Sequence, residues 1–106
     1  MWLFTKYGFF SAVRHNELAD LIHLRARFAG DLERLFAAHN IAAEISHTPG
    51  NDYPYRADVF CGAWSKICHD EALAIDYTNF KAAVHDGTAR DHAYLEVWAA
   101  LKNAGG

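Results

Sequence analysis

Hydrophobic and polar positions change period several times along the chain, and each change marks an element. The opening run alternates imperfectly. Trp2, Phe4, Lys6, Gly8 and Phe10 fall on one side of an extended backbone, with Leu3, Thr5, Tyr7, Phe9 and Ser11 on the other. Its aromatic content favours a strand, and Gly8 predicts a bulge or bend where the facing switches. The aromatics are expected at the edge or centre of the core. After a polar connection, residues 21–28 alternate cleanly, with Ile22, Leu24, Ala26 and Phe28 against His23, Arg25 and Arg27. This pattern predicts a half-buried strand antiparallel to the first.

The period then becomes helical. Leu32, Leu35, Phe36 and His39 recur at three- and four-residue spacing, Asp31 and Glu33 place negative charge at the first turn, and Asn40 supplies a stop, so a helix is expected over 31–39. A short strand over 42–46 leads into Thr48-Pro49-Gly50-Asn51-Asp52, the strongest turn signal in the chain, because proline presets φ at one corner and glycine accepts a positive φ at the next. Beyond it Tyr55, Ala57, Val59 and Cys61 alternate with Arg56, Asp58 and Phe60, which predicts the return strand of a second hairpin. From Ala63 an apolar stripe of Trp64, Ile67, Cys68, Ala72 and Ile75 reads as helix. Asp76 is expected to cap a short helix through Phe80 and Val84, ended by Gly87. Thr88 to Asp91 opens a last helix whose expected buried face is Tyr94, Leu95, Trp98 and Leu101.

The expected fold is therefore α+β: a four-stranded antiparallel sheet of two hairpins (ββαββ, then two or three helices) with helices packed on one face, in a single domain over residues 1–106. Composition agrees, since 52% of the 106 residues are hydrophobic and 14% aromatic, too apolar for a disordered chain. A net charge of -3 supplies no global field for nucleic acid or an anionic membrane, so neither is expected as a partner. The opening stretch lacks both the layout of a secretory signal and the length of a membrane span. Two cysteines, Cys61 and Cys68, are too few for a disulfide framework, and a reduced, cytoplasmic protein is expected.

Familiar nucleophile-elbow, phosphate-loop, dinucleotide and zinc-protease motifs are missing, so no residue is nominated as catalytic. His85, Asp86, Asp91 and His92 offer metal-type ligands, but His85 at a helix end and Asp91 at the next helix start suit the helix dipoles, and neither a metal nor a cofactor is assigned. The more informative pattern is the polar side of the expected sheet. His23, Arg25 and Arg27 leave one strand in the same direction, Arg56 can join them from another, and Tyr7 can lie nearby. Guanidinium groups beside an aromatic ring suit a carboxylate or phosphate. Ordinary cross-strand pairing of these arginines with Glu44 and Asp58 is the competing account. Tyr53 and Tyr55, around Pro54 in the 47–56 loop, suit recognition or cover the rim of the core.

Met1-Trp2 with Thr5, Gly8-Phe9 and Ser11, the Leu24-Arg25-Ala26-Arg27 segment, Asp52-Tyr53-Pro54-Tyr55-Arg56 and Asp76-Tyr77-Thr78-Asn79-Phe80-Lys81 together resemble a group of small uncharacterised bacterial proteins. The resemblance implies one single-domain unit of bacterial type and carries no activity with it. The residues thus predict a small binding or regulatory module recognising an anionic group or a protein partner, with Tyr7, His23, Arg25, Arg27, Tyr53, Tyr55 and Arg56 as candidate ligand-binding residues. The alternative is a small enzyme using His, Tyr and Arg side chains at the sheet face or the 47–56 loop. Pairing through an exposed strand edge makes a homodimer the expected assembly.

Overall fold

The opening aromatic run is not one strand but a hairpin. A computed structural model describes all residues 1–106, with β1 at Trp2–Phe4 and β2 at Phe9–Arg14. Between them Thr5 and Gly8 exchange backbone hydrogen bonds of 2.9 and 3.3 Å, and the Thr5 hydroxyl oxygen accepts from the amides of Tyr7 and Gly8. A buried threonine thus satisfies the turn's amides in place of the usual asparagine or aspartate. The sheet gains a strand in consequence. It is antiparallel with five strands in the order β1-β2-β3-β5-β4, not four, where β3 is Leu21–Ala26, β4 Ser46–His47 and β5 Tyr55–Phe60.

Helix α1 spans Asp31–His39 as the spacing predicts, and Asn40 ends it in the left-handed conformation with φ 55°. Gly30 occupies the N-cap, and Asp31 and Glu33 lie in the first turn as expected. Asp31 is also fully buried and paired with Arg34. The alternation of Ile41, Ala43 and Ile45 is expressed as packing against the core while the backbone stays outside the ladder, so the strand expected over 42–46 shrinks to the two residues of β4. At the turn before β5, Gly50 takes φ 93°, and the Asn51 amide donates to the Thr48 carbonyl, as a Pro-Gly corner requires. Helix α2, Cys61–Leu73, starts directly from β5, two residues earlier than the apolar stripe suggests, and Ile75 lies exposed beyond its end.

Strand register sorts the side chains. Ala12, Leu24 and Ala57 align across β2, β3 and β5, as do Ile22 and Val59, so they share one face. They form one buried cluster with Phe10, Ala26, Leu32, Leu35, Phe36, Trp64 and Ile67, the last five coming from α1 and α2. Ile22, Leu24, Ala57 and Val59 are all buried, and Arg25 points to the other face.

The chain divides into two compact units, Met1–Ile75 and Asp76–Gly106. The second consists of α3 (Phe80–Ala83) and α4 (Ala89–Ala104). Asn79, not Asp76, caps α3, accepting from the Ala82 amide, and Gly87 at φ 74° precedes Thr88, which caps α4. Of the expected inner face of α4 only Tyr94 is buried. Leu95, Trp98 and Leu101 are exposed, with Trp98 at 45% and lying under the Lys81 ammonium at 3.6 Å. Trp98→Ala is therefore expected to lose about 1 kcal/mol or little more, from exposed cation–π contacts with Lys81 and Lys102 and partial burial, rather than the larger loss of a core tryptophan. A urea titration checks this, and a loss above about 3 kcal/mol would place Trp98 in a core.

Candidate functional site

The uncovered side of the sheet collects residues that no single strand displays. Ser11, Arg25, Arg56 and Ser46 form one row across β2, β3, β5 and β4, while Val13, His23 and Asp58 form the next. Trp2 and Ser11 are partners at one end, as are Phe4 and Phe9. The opening aromatics therefore split. Phe10 enters the core with Leu3 packed against it, whereas Phe9 stacks on Phe4 at 4.6 Å and meets Trp2 edge-on at 5.7 Å on the open side. Trp2 is 67% exposed, so only part of the run expected at the edge or centre of the core lies there, because alternation sends every second ring outward.

Tyr53 is the centre of the arrangement. The ring, 4% exposed, lies 6.4 Å from Phe9 and under two guanidinium groups, with Arg25 Cζ at 4.5 Å and Arg27 Cζ at 4.3 Å from its centroid. Arg56 Nε donates to the Tyr53 carbonyl at 2.9 Å, and Arg25 Nη2 donates to Ser11 Oγ at 2.8 Å. Burial pushes the Tyr53 phenol up, but hydrogen bonds with Arg27 and Ser11 and the charges of both arginines outweigh it, and its pKa falls below the ordinary tyrosine value. Three arginines thus converge on one tyrosine.

None of the three is paired with a carboxylate. Glu44 forms no ion pair with them, and Asp58 is taken by histidine: its Oδ1 accepts from His23 Nδ1 at 2.6 Å, and its Oδ2 lies 3.9 Å from His15 Nε2. Cross-strand pairing of Arg25, Arg27 and Arg56 with Glu44 or Asp58 is accordingly not what the sheet contains. Arg25 Nε is buried with no hydrogen-bond partner. Beside Arg56 and His23 a pocket of about 270 Å3 opens, lined also by Val13, Arg14, His15 and Asn16. The Arg14 guanidinium itself is engaged by the Ala19 carbonyl and Cys61 Sγ.

Of the residues singled out from sequence, His23, Arg25, Arg27, Tyr53 and Arg56 come together on this face. Tyr7 and Tyr55 do not join them. Tyr7 packs against the core cluster and meets His39 edge-on at 6.3 Å, and Tyr55 packs there too while stacking on His47 at 4.6 Å. Sequence reasoning passed over Ser11, His15 and the histidine-bound role of Asp58. Ser11 follows once β2 is paired with β3, whereas His15 lies in a connection and carries no periodic signal. In the second unit the metal-type residues are engaged locally. His85 Nδ1 lies 2.7 Å from Asp91 Oδ2, Asp86 accepts from Thr88, and no group of three or more His, Cys, Asp or Glu is arranged to hold a metal ion.

No protein-family model, curated protein or solved structure matches this chain.

Proposed function

We propose that the protein is a small binding or regulatory module that captures an anionic group on the open face of its sheet, acting in the cytoplasm. One observation carries the reading: Arg25, Arg27 and Arg56 are gathered on Tyr53 without a carboxylate to balance them. Like charges held together cost free energy unless an anion joins them, and a planar guanidinium meets phosphate or carboxylate with two parallel donors. Tyr53 fixes the arginines before the ligand arrives, which reduces the ordering cost of binding. The free state of both cysteines accords with a reducing compartment.

The test is a thermal-shift and calorimetric screen of inorganic phosphate, short carboxylates and nucleotides, repeated at raised salt. The unmodified protein is expected to be stabilised by at least one anion class, less so at high salt. Arg27→Gln, an exposed position, is expected to weaken that binding by roughly tenfold or more, since a hydrogen bond to a charged group contributes about 1.5–3 kcal/mol. Arg25→Gln should weaken it likewise, and Arg27→Gln, which removes both a hydrogen bond and a charge from the phenol, should return the Tyr53 absorbance titration towards the ordinary tyrosine range. No shift with any anion, or unchanged binding in both variants, would end this reading.

A further inference from the structure

The geometry points to His23 as a phosphoryl acceptor, an activity that rests on the anion-binding reading and goes beyond it. His23 is partly exposed, with its Nδ1 donating to Asp58 Oδ1 at 2.6 Å. A ring nitrogen donating to a carboxylate carries the proton, so Nε2 holds the lone pair. No hydrogen bond occupies Nε2, and the ring lines the same pocket as Arg56. Arg56 is anchored through Nε to the Tyr53 carbonyl, which leaves its two terminal nitrogens as donors for phosphoryl oxygens. A bare imidazole nitrogen, a carboxylate that orients the ring, and an unbalanced guanidinium beside them are the parts that nucleophilic phosphoryl transfer requires.

The second histidine of the pocket is built differently. His15 Nδ1 accepts from the backbone amides of Glu17 and Leu18, both at 3.1 Å, so its proton sits on Nε2. His15 is therefore a donor, and only His23 is arranged as a nucleophile. The two rings meet edge-on at 6.4 Å. With an acyl phosphate as donor, the His23 Nε2 lone pair attacks phosphorus and an N–P bond forms. The P–O bond to the acyl group breaks, and the carboxylate leaves with the bonding pair. The Nδ1 proton stays on the ring, where Asp58 offsets the positive charge that develops, while Arg56 stabilises the transferring phosphoryl oxygens. No metal or redox partner enters this balance.

The experiment incubates the full chain with acetyl phosphate or phosphoramidate and reads intact mass and phosphorus NMR, with inorganic phosphate binding followed in parallel by thermal shift. The expected result is a gain of one phosphoryl group that is acid-labile and alkali-stable. The group should be lost in His23→Gln and retained in His15→Gln. Arg56→Gln is expected to slow labelling roughly 100-fold and Asp58→Asn by tenfold or more, with circular dichroism showing each variant folded. Phosphate binding without labelling by either donor, labelling that survives His23→Gln, or labelling abolished by His15→Gln would overturn the proposal while leaving anion capture standing. Absence of both phosphate binding and labelling would overturn the proposal too, and anion capture then stands or falls by the carboxylate and nucleotide arms of its own screen.

Discussion

Replacing Phe10 with alanine is expected to cost about 3–5 kcal/mol of folding stability, a large share of the roughly 5–15 kcal/mol that holds a domain of this size folded. Phe10 is fully buried in β2, the strand between β1 and β3, and belongs to the cluster that joins the sheet to α1 and α2. Removing its ring leaves a cavity enclosed by a β-ladder on each side, which cannot close without shifting strands, so the lost transfer free energy and the cavity penalty add. Trp2→Ala provides the contrast. The larger ring of Trp2 is mostly exposed, and its loss is expected to cost about 1 kcal/mol or less, chiefly the edge contact with Phe9. Urea titrations of the two variants measure the difference as a shift in midpoint at unchanged slope. A Phe10→Ala cost no larger than that of Trp2→Ala would mean that the facing of β2 has been assigned backwards.

That facing shows where sequence reasoning carries and where it stops. Residues 22–27 and 56–59 alternate between apolar and charged or histidine residues, and both the strands and their inner faces follow from that pattern. The opening run carries aromatics on both sides, so period alone could not tell one bent strand from a hairpin. The turn between β1 and β2 is made by a threonine hydroxyl and a single glycine, which leave little compositional mark. Helix α4 fails in the opposite way. Tyr94, Leu95, Trp98 and Leu101 fit helical spacing, yet three of the four are exposed, because an apolar stripe predicts burial only if another element covers it.

The candidate site was legible as a direction and not as a set of contacts. Spacing put His23, Arg25 and Arg27 on one face, and pairing of β3 with β5 then brought Arg56 beside Arg25. What spacing could not supply was the partner of each charge. Glu44 and Asp58 were equally available on paper, and the choice of His23 by Asp58 depends on register: the two residues are directly opposite, whereas Arg25 faces Arg56. A two-residue slip would have set Asp58 opposite Arg25 instead. Tyr53 enters from a loop whose path is fixed by a Pro-Gly turn and by the Arg56 bond to its carbonyl, neither of which reports where its ring goes.

Gly8→Ala is expected to destabilise the protein by about 3 kcal/mol or more, and to disturb the open face along with the core. Gly8 has φ 156°, in a region that L side chains rarely adopt. A methyl group there would collide with Asp31, at its Cβ, Cγ and Oδ2. Asp31 cannot easily retreat, since its side chain is fully buried and paired with Arg34 at the start of α1. Overpacking of this kind costs about 1–3 kcal/mol, and moving a buried, paired carboxylate off its partner adds to it. Gly50→Ala separates the two contributions, because Gly50 also has a positive φ, 93°, but nothing within 4 Å of the added carbon. It is expected to lose about 1–2 kcal/mol from backbone strain alone. The excess of Gly8→Ala over Gly50→Ala, read from denaturant midpoints, measures how rigidly the β1–β2 turn is held against α1. Phe9 and Ser11 follow that turn directly, and Ser11 connects Arg25 to Tyr53, so the same substitution should also weaken anion binding. Equal losses in the two glycine variants, with anion binding unchanged, would show that Asp31 yields to the methyl group and that the turn does not set the face.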